Sequence, residues 1–464
     1  MPTFASSDQI RTFFSRAMSD MYRREVPQYG TLMELVSEVN AGVLAHDPQL
    51  KADLERADEL ERLDLERHGA IRLGTAAELF TIRRLFGVMG MEPVGYYDLS
   101  VAGVPVHSTA FRPVQDAALS RNPFRVFTSL LRLELIEDAD LRAEAAAILK
   151  RRQIFTTRVL ELIDIHDEQG GLTVGQAEEF VREALETFRW HGEATVDAGT
   201  YRKLHDAHRL IADVVSFKGP HINHLTPRTL DIDAVQSGMP KRGIAAKAVV
   251  EGPPTRRCPI LLRQTSFKAL QEPILFRDAG PEVAGTHTAR FGEIEQRGIA
   301  LTKKGRTLYD ELLASVREIG AAGSAGADYE RQLTAAFQRF PDSTDEIRRQ
   351  GLGFFRYRLS GKETPAVSGM LTADALDRLI ATGSVVADPI VYEDFLPVSA
   401  AGIFQSNLGG AEQKSYAGNA SKAAFEQALG ATVADEFALY AEAEARSIAA
   451  LEAELTVREG EAAE

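Results

Sequence analysis

A single cysteine, Cys258, stands in a chain of 464 residues. No disulfide can therefore form within the chain, and a reducing, cytoplasmic setting is expected. No stretch of about 18 uninterrupted apolar residues occurs, so no transmembrane helix is expected. The opening segment, MPTFASSDQIRTFF, lacks the basic start and apolar run of a secretion signal. Positive charge is in deficit: 53 Lys+Arg face 67 Asp+Glu, a formal net charge of -14. That balance repels a polyanion and argues against nucleic acid as a partner. A small anion stays open if a few arginines converge in one pocket. Compact catalytic signatures are missing too: there is no P-loop, no HExxH, no Gly-x-Ser-x-Gly elbow and no CxxC.

The hydrophobic share, 44%, suffices for a large core, and the length suggests two or three domain-sized units. Residues 1–60 read as an N-terminal helical segment, with Ile10, Phe13, Phe14 and Met18 and then Leu32, Leu35, Val36, Val39 and Val43 at helical spacing. A short strand at HGAIRLG is followed by Thr75-Ala-Ala-Glu78, a capping-box pattern that predicts a helix through Leu79, Ile82, Leu85 and Met89 to Gly90. Pro93–Val101 and Val104–Val114 read as a hairpin, and Phe124–Ile136 as a further strand region. Residues 61–138 thus form a βαβββ half. A helical insertion follows over 139–214. The order returns over 215–302: a short strand ending in His224, a helical piece from Asp231 to Ser237, then strand-like stretches at Ile260–Ala269 and Thr286–Glu295. Residues 303–464 read as a mostly helical C-terminal region, with one long Ala/Glu-rich helix from Ser421 to Thr456. The expected fold class is α+β, with a duplicated βαβββ core between large helical N-terminal, inserted and C-terminal segments.

Three places in this frame carry candidate chemistry. His68 and Arg72 are four apart, so both point to one side of a strand; the alternative is a surface histidine beside a charged run. His221 and His224 are three apart, so on an extended strand only one of them lines a given site. His224 is the better candidate, although a lone histidine is more often structural. Glu293 and Glu295 share a strand face, where they repel unless one binds a cation or pairs with an arginine such as Arg290 or Arg297. Gly292 allows a close approach just before Glu293. An exposed acidic strand is the alternative, and spacing leaves open which glutamate is the ligand. Two imidazoles and one carboxylate suit a non-haem Fe(II) site, another divalent metal remaining possible. Its open positions would take a 2-oxo acid and dioxygen together.

Four strings, HGAIR at 68–72, INHLTPR at 222–228, LLRQTSF at 261–267 and RFGEIEQRG at 290–298, together resemble the 2-oxoadipate dioxygenase/decarboxylase family, the 2-hydroxyglutarate synthases of the vicinal-oxygen-chelate superfamily. The resemblance spans nearly the whole chain, including YEDFLPVSAAGIFQSNL at 392–408. It implies a vicinal-oxygen-chelate core in which His68, His224 and Glu293 hold Fe(II). It also implies that His68 and Arg72 touch the substrate, and that the loop near 392–408 lines it through Val398 and Ser399. The implied reaction takes 2-oxoadipate and dioxygen to 2-hydroxyglutarate and carbon dioxide in lysine catabolism. The expected partners are then a small 2-oxo dicarboxylic acid and dioxygen, with no nucleic acid and no membrane; the oligomeric state is left open. The alternatives are a dioxygenase of another 2-oxo acid, a metal-dependent isomerase or lyase on the same fold, and a non-catalytic binding protein.

Overall fold

The computed structural model describes residues 3–277, 283–288, 290–320, 327–362, 371–396 and 419–462. They divide into two compact units: Met1–Glu251 with Arg263–Gln296 and Asp394–Ala434, and Gly252–Leu262 with Arg297–Glu393 and Asp435–Glu464.

The first unit opens with the short strand β1 (Phe4–Ala5) and the helices Ser7–Glu25, Pro27–His46 and Pro48–Arg56. Ser6 and Gln9 close a reciprocal capping box on the first helix. Prolines start the next two, where a missing N–H leaves no helical bond unmade. Then come β2 (Arg67–Leu73), the helix Ala76–Val88, β3 (Glu92–Asp98), β4 (Val106–Arg112) and β5 (Arg125–Leu131). The Thr75–Glu78 box forms in both directions, as its spacing indicates. Helices fill most of the stretch from Ala139 to Val215, interrupted by β6 (Leu172–Thr173), which pairs with β1. Next are β7 (Leu225–Pro227), the helix Ile232–Gly238, β8 (Leu262–Ser266), β9 (Gln271–Phe276), β10 (Val283–Thr288) and β11 (Glu293–Arg297).

The main sheet has the order β3-β4-β5-β2-β7. Within it β2 runs parallel to β5 and antiparallel to β7. The first half is therefore a strand, a helix and three strands in one sheet. The second half pairs as follows among the described residues. A parallel bridge between Arg228 and Glu295 relates β7 to β11 much as β2 relates to β5, but β11 pairs with β8, while β9 and β10 form a hairpin of their own. Along β9 exposed and buried residues alternate from Gln271 to Phe276, the pattern of a hairpin with one wet face. The architecture is mixed α and β.

The face of β2 that carries Ile71 and Leu73 packs into an aromatic core. There Phe14 meets Phe124 and Phe188 edge-on at 5.9 and 5.3 Å, and Phe86 meets Phe111 at 4.9 Å. Such pairs contribute about 0.5–1.5 kcal/mol each beyond area burial. This packing fixes the strand whose opposite face carries His68, Ala70 and Arg72.

In the second unit, β12 (Phe355–Leu359) and β13 (Val385–Pro389) pair antiparallel. The helix Glu436–Ala462 lies along β12, tied by bonds from Phe355 N to Glu444 (2.9 Å) and from Tyr357 N to Ser447 (3.1 Å). The single long helix expected from Ser421 is in fact two, Asn419–Leu429 and Glu436–Ala462. Gly430, with φ of +69°, ends the first. A left-handed glycine is a common helix stop. No helix among the described residues is long and apolar enough to cross a membrane.

Candidate active site

All seven residues of β2 are buried, and strand alternation sends His68 and Arg72 to the same face. Gly69 lies between them for a steric reason. A Cβ there would sit 2.5 Å from Ile222 Cδ1 and 3.0 Å from the His224 carbonyl oxygen, so the His221–His224 segment crosses β2 at backbone distance. That segment is not a strand; β7 begins only at Leu225. Its backbone instead bonds to separate elements: Ile222 N to Phe188 O (2.8 Å), Asn223 N to Ala70 O (2.9 Å), and Phe291 N to Asn223 O (3.1 Å). The Tyr22 hydroxyl lies between the carbonyl oxygens of Phe291 (2.7 Å) and Asn223 (3.1 Å). One tyrosine thus ties together the two segments that lead into His224 and Glu293.

His68, His224 and Glu293 each offer a ligand atom within 4.8 Å of the others, and all three are buried. His224 Nε2 is 3.1 Å and His68 Nε2 is 3.6 Å from Glu293 Oε2, which also accepts from the Thr226 hydroxyl at 3.3 Å. Neither ring nitrogen of His224 has a hydrogen-bond partner among the described residues, nor does Glu293 Oε1. Buried polar atoms left unpaired cost about 1–3 kcal/mol each. A divalent cation held by these three side chains would engage one ring nitrogen of each histidine and the Glu293 carboxylate, and the donor set suits one.

The two glutamates divide their roles by position. Glu295 Oε2 lies 2.9 Å from His68 Nδ1, on the far side of the ring from Glu293. Its compensating cation comes from β5, where Arg125 Nη1 is 3.8 Å from Glu295 Oε1. Of the arginines expected for that task, Arg290 pairs with Glu272 and Glu25, and Arg297 donates to the Tyr392 carbonyl at 2.6 Å. Arg125 donates in turn to Glu66 at 2.7 Å, and Glu66 accepts from Arg62 and Arg228 as well. This buried network backs the carboxylate that faces His68.

Electrostatics separate the two imidazoles. Burial, together with the charges of His68 and Arg72, holds His224 well below the ordinary histidine range, so its ring is neutral and one nitrogen lone pair is available. Burial alone would lower His68 as well, but Glu295 and Glu293 outweigh it and raise the ring. Glu293 is raised by burial, against the opposing pull of His68. Aromatic rings close the site: Phe395 stands edge-on to His68 at 4.9 Å, and Phe291 lies 4.9 Å from His224. The neighbour of Phe395, Asp394, is gripped by Arg112 through two bonds of 2.7 and 2.9 Å. Arg72 donates to Asp213 at 2.7 Å. Val398 and Ser399 lie outside the described residues.

The sequence profile of the 2-oxoadipate dioxygenase/decarboxylase family matches residues 14–407. The chain belongs to that family. A relative from Escherichia coli (strain K12) bearing the family's name is 62% identical over 447 residues, covering 96% of this chain and 98% of the relative. Another, from Pseudomonas putida, is 62% identical over 451 residues, covering 96% and 97%. The crystal structure of the hydroxyglutarate synthase from Pseudomonas putida in complex with 2-oxoadipate is similar with a TM-score of 0.89 at 59% identity, over 98% of this chain and 99% of that one.

In this family member the ligand candidates are local features of three short strings, whereas their supports are not. Arg125, Asp213, Tyr22 and Phe395 come from distant parts of the chain. Two signals lie in the quoted strings: Phe395 in YEDFLPVSAAGIFQSNL, and Arg228 in INHLTPR, which joins Glu66 to Glu59 at 3.1 and 3.0 Å.

Proposed function

We propose that the chain is an Fe(II)-dependent enzyme that converts 2-oxoadipate and dioxygen to 2-hydroxyglutarate and carbon dioxide, in lysine breakdown. The observation that carries this reading is the convergence of His68, His224 and Glu293 in a buried group, in a chain with relatives at 62% identity that bear the activity's name. Atoms balance: the six-carbon 2-oxo diacid loses its oxidised end as carbon dioxide, and both atoms of dioxygen enter the five-carbon product, one in the new carboxylate and one in the hydroxyl.

His68, His224 and Glu293 would hold the metal, which when bound supplies positions where a 2-oxo acid and dioxygen meet, together with the electrons that activate dioxygen. The neutral His224 needs no deprotonation to serve as a ligand. Glu295 keeps His68 turned so that Nε2 faces Glu293. Arg72 pairs with a substrate carboxylate in a charge-assisted bond, and Val398 and Ser399 line the substrate. Phe291 and Phe395 exclude water from the reacting end.

The test is dioxygen uptake by the Fe(II)-supplemented protein with a panel of 2-oxo acids, with products identified by mass. Fastest uptake with 2-oxoadipate and formation of 2-hydroxyglutarate are expected. A different preferred 2-oxo acid would reassign the substrate, and no uptake with any would reject the oxygenase reading.

A further inference from the structure

Arg72 is held from behind by a buried polar cluster that the reaction does not use directly. Asp213, on the helix Arg209–Val215, places Oδ2 2.7 Å from Arg72 Nη1. Its other oxygen lies 2.8 Å from His287 Nε2, on β10, and 3.3 Å from His221 Nε2. His287 Nδ1 is in turn 2.7 Å from the hydroxyl of Tyr201, on the helix Ala198–Ala207. Trp190 walls the cluster, edge-on to His221 at 4.8 Å and parallel to the His287 ring at 6.2 Å. Arg72, Asp213, His221 and His287 are all buried. Burial would raise the Asp213 carboxyl, but His221, His287 and Arg72 together hold it well below the ordinary carboxylate range, so it is ionised.

A guanidinium is a planar fork of N–H donors, so anchoring one edge decides where the rest points. Arg72 sits four residues along β2 from His68, on the same face. The long, flexible arginine chain would otherwise have to be ordered when substrate arrives. We propose that Asp213, itself fixed by His287 and Tyr201, is the positioning residue that pre-sets Arg72 for the carboxylate of the substrate. The inference rests on the reading of Arg72 given above and extends it to a chain of residues that never touch the substrate.

A double-mutant cycle on the Fe(II)-loaded full chain tests it, with KM, kcat and metal content measured for 2-oxoadipate. Asp213→Asn is expected to raise KM by about 10- to 100-fold, the size of effect produced by misplacing a positioning group, with a smaller change in kcat and unchanged metal content. Combined with Arg72→Ala it should add nothing further, because Asp213 acts through Arg72. Independent effects that multiply in the double variant would overturn the proposal, as would loss of metal in Asp213→Asn. If that variant does not fold, His287→Gln carries the same test: a smaller rise in KM that vanishes in the Arg72→Ala background is expected, and a rise that persists there would overturn it. A wild-type chain that fails to turn over 2-oxoadipate would reject the functional reading itself. That result is distinct from an active wild type whose two substitutions act independently.

Discussion

His68 Nδ1 lies 2.9 Å from Glu295 Oε2 while its Nε2 faces Glu293 at 3.6 Å, so two carboxylates from one strand face hold opposite sides of one imidazole. Glu293→Gln should therefore empty the metal site, whereas Glu295→Gln should keep metal while weakening its affinity by about 10- to 100-fold, the usual cost of losing a histidine's outer partner. Metal titration of both variants checks this. The reverse order would move the ligand role to Glu295.

Gly69→Ala tests the close crossing over β2. The added Cβ would meet Ile222 and the His224 carbonyl, and the His224 segment must shift to make room. Overpacking of this kind costs about 1–3 kcal/mol, and here the displaced backbone carries a ligand candidate. Denaturant unfolding should show the loss of stability, and metal affinity should fall with it. An unchanged affinity would show that His224 tolerates the shift.

The Arg112–Asp394 pair is buried on both sides, at 2% and 0% side-chain exposure. Arg112→Ala removes the guanidinium that makes the two bonds to Asp394, and breaking a buried pair from one side costs about 3–5 kcal/mol. It also releases the residue next to Phe395, the ring that covers His68. A large drop in Tm is expected, with faster oxidation of Fe(II) supplied to the variant as solvent gains access. A Tm within a degree or so of wild type would mean the pair contributes little, as exposed pairs do.

His107, on β4, gives the stability a sign in acid. Burial, then the charge of Arg132, pulls its pKa from 6.5 down to about 4, so the folded protein keeps the ring neutral while the unfolded chain protonates it near about 6.5. The stabilisation is fully present above that value and is lost as pH falls toward about 4, on the order of 3 kcal/mol in all. His208, also held at about 4 by burial and two arginines, acts in the same window. Urea unfolding at about pH 7.5 and about pH 5 should show a decline that shrinks in His107→Gln without vanishing. Equal declines in wild type and variant would show that His107 does not carry it.

Local order made parts of this molecule legible from sequence. The Thr75–Glu78 box, the hairpin around Gly103 and the shared face of His68 and Arg72 all follow from short-range rules. Spacing left Glu293 and Glu295 unresolved, because alternation puts both on one face and only the fold places His68 between them. The sequence pattern puts His224 at the end of a strand. Its segment departs from strand geometry because its peptide groups bond to Phe188, Ala70 and Phe291, contacts between parts of the chain far apart in sequence. The same holds for Arg125 behind Glu295 and Asp213 behind Arg72. The element order of the second half matches that of the first; the pairing of β11 with β8 is a tertiary choice that element order does not record.

The most direct measurement supplies isotopically heavy dioxygen to the Fe(II)-loaded protein with 2-oxoadipate and reads the product by mass. 2-Hydroxyglutarate carrying both heavy oxygen atoms, with one carbon dioxide released per dioxygen consumed, is the expected result. Product formed at full rate without dioxygen, or product with no heavy oxygen, would contradict it.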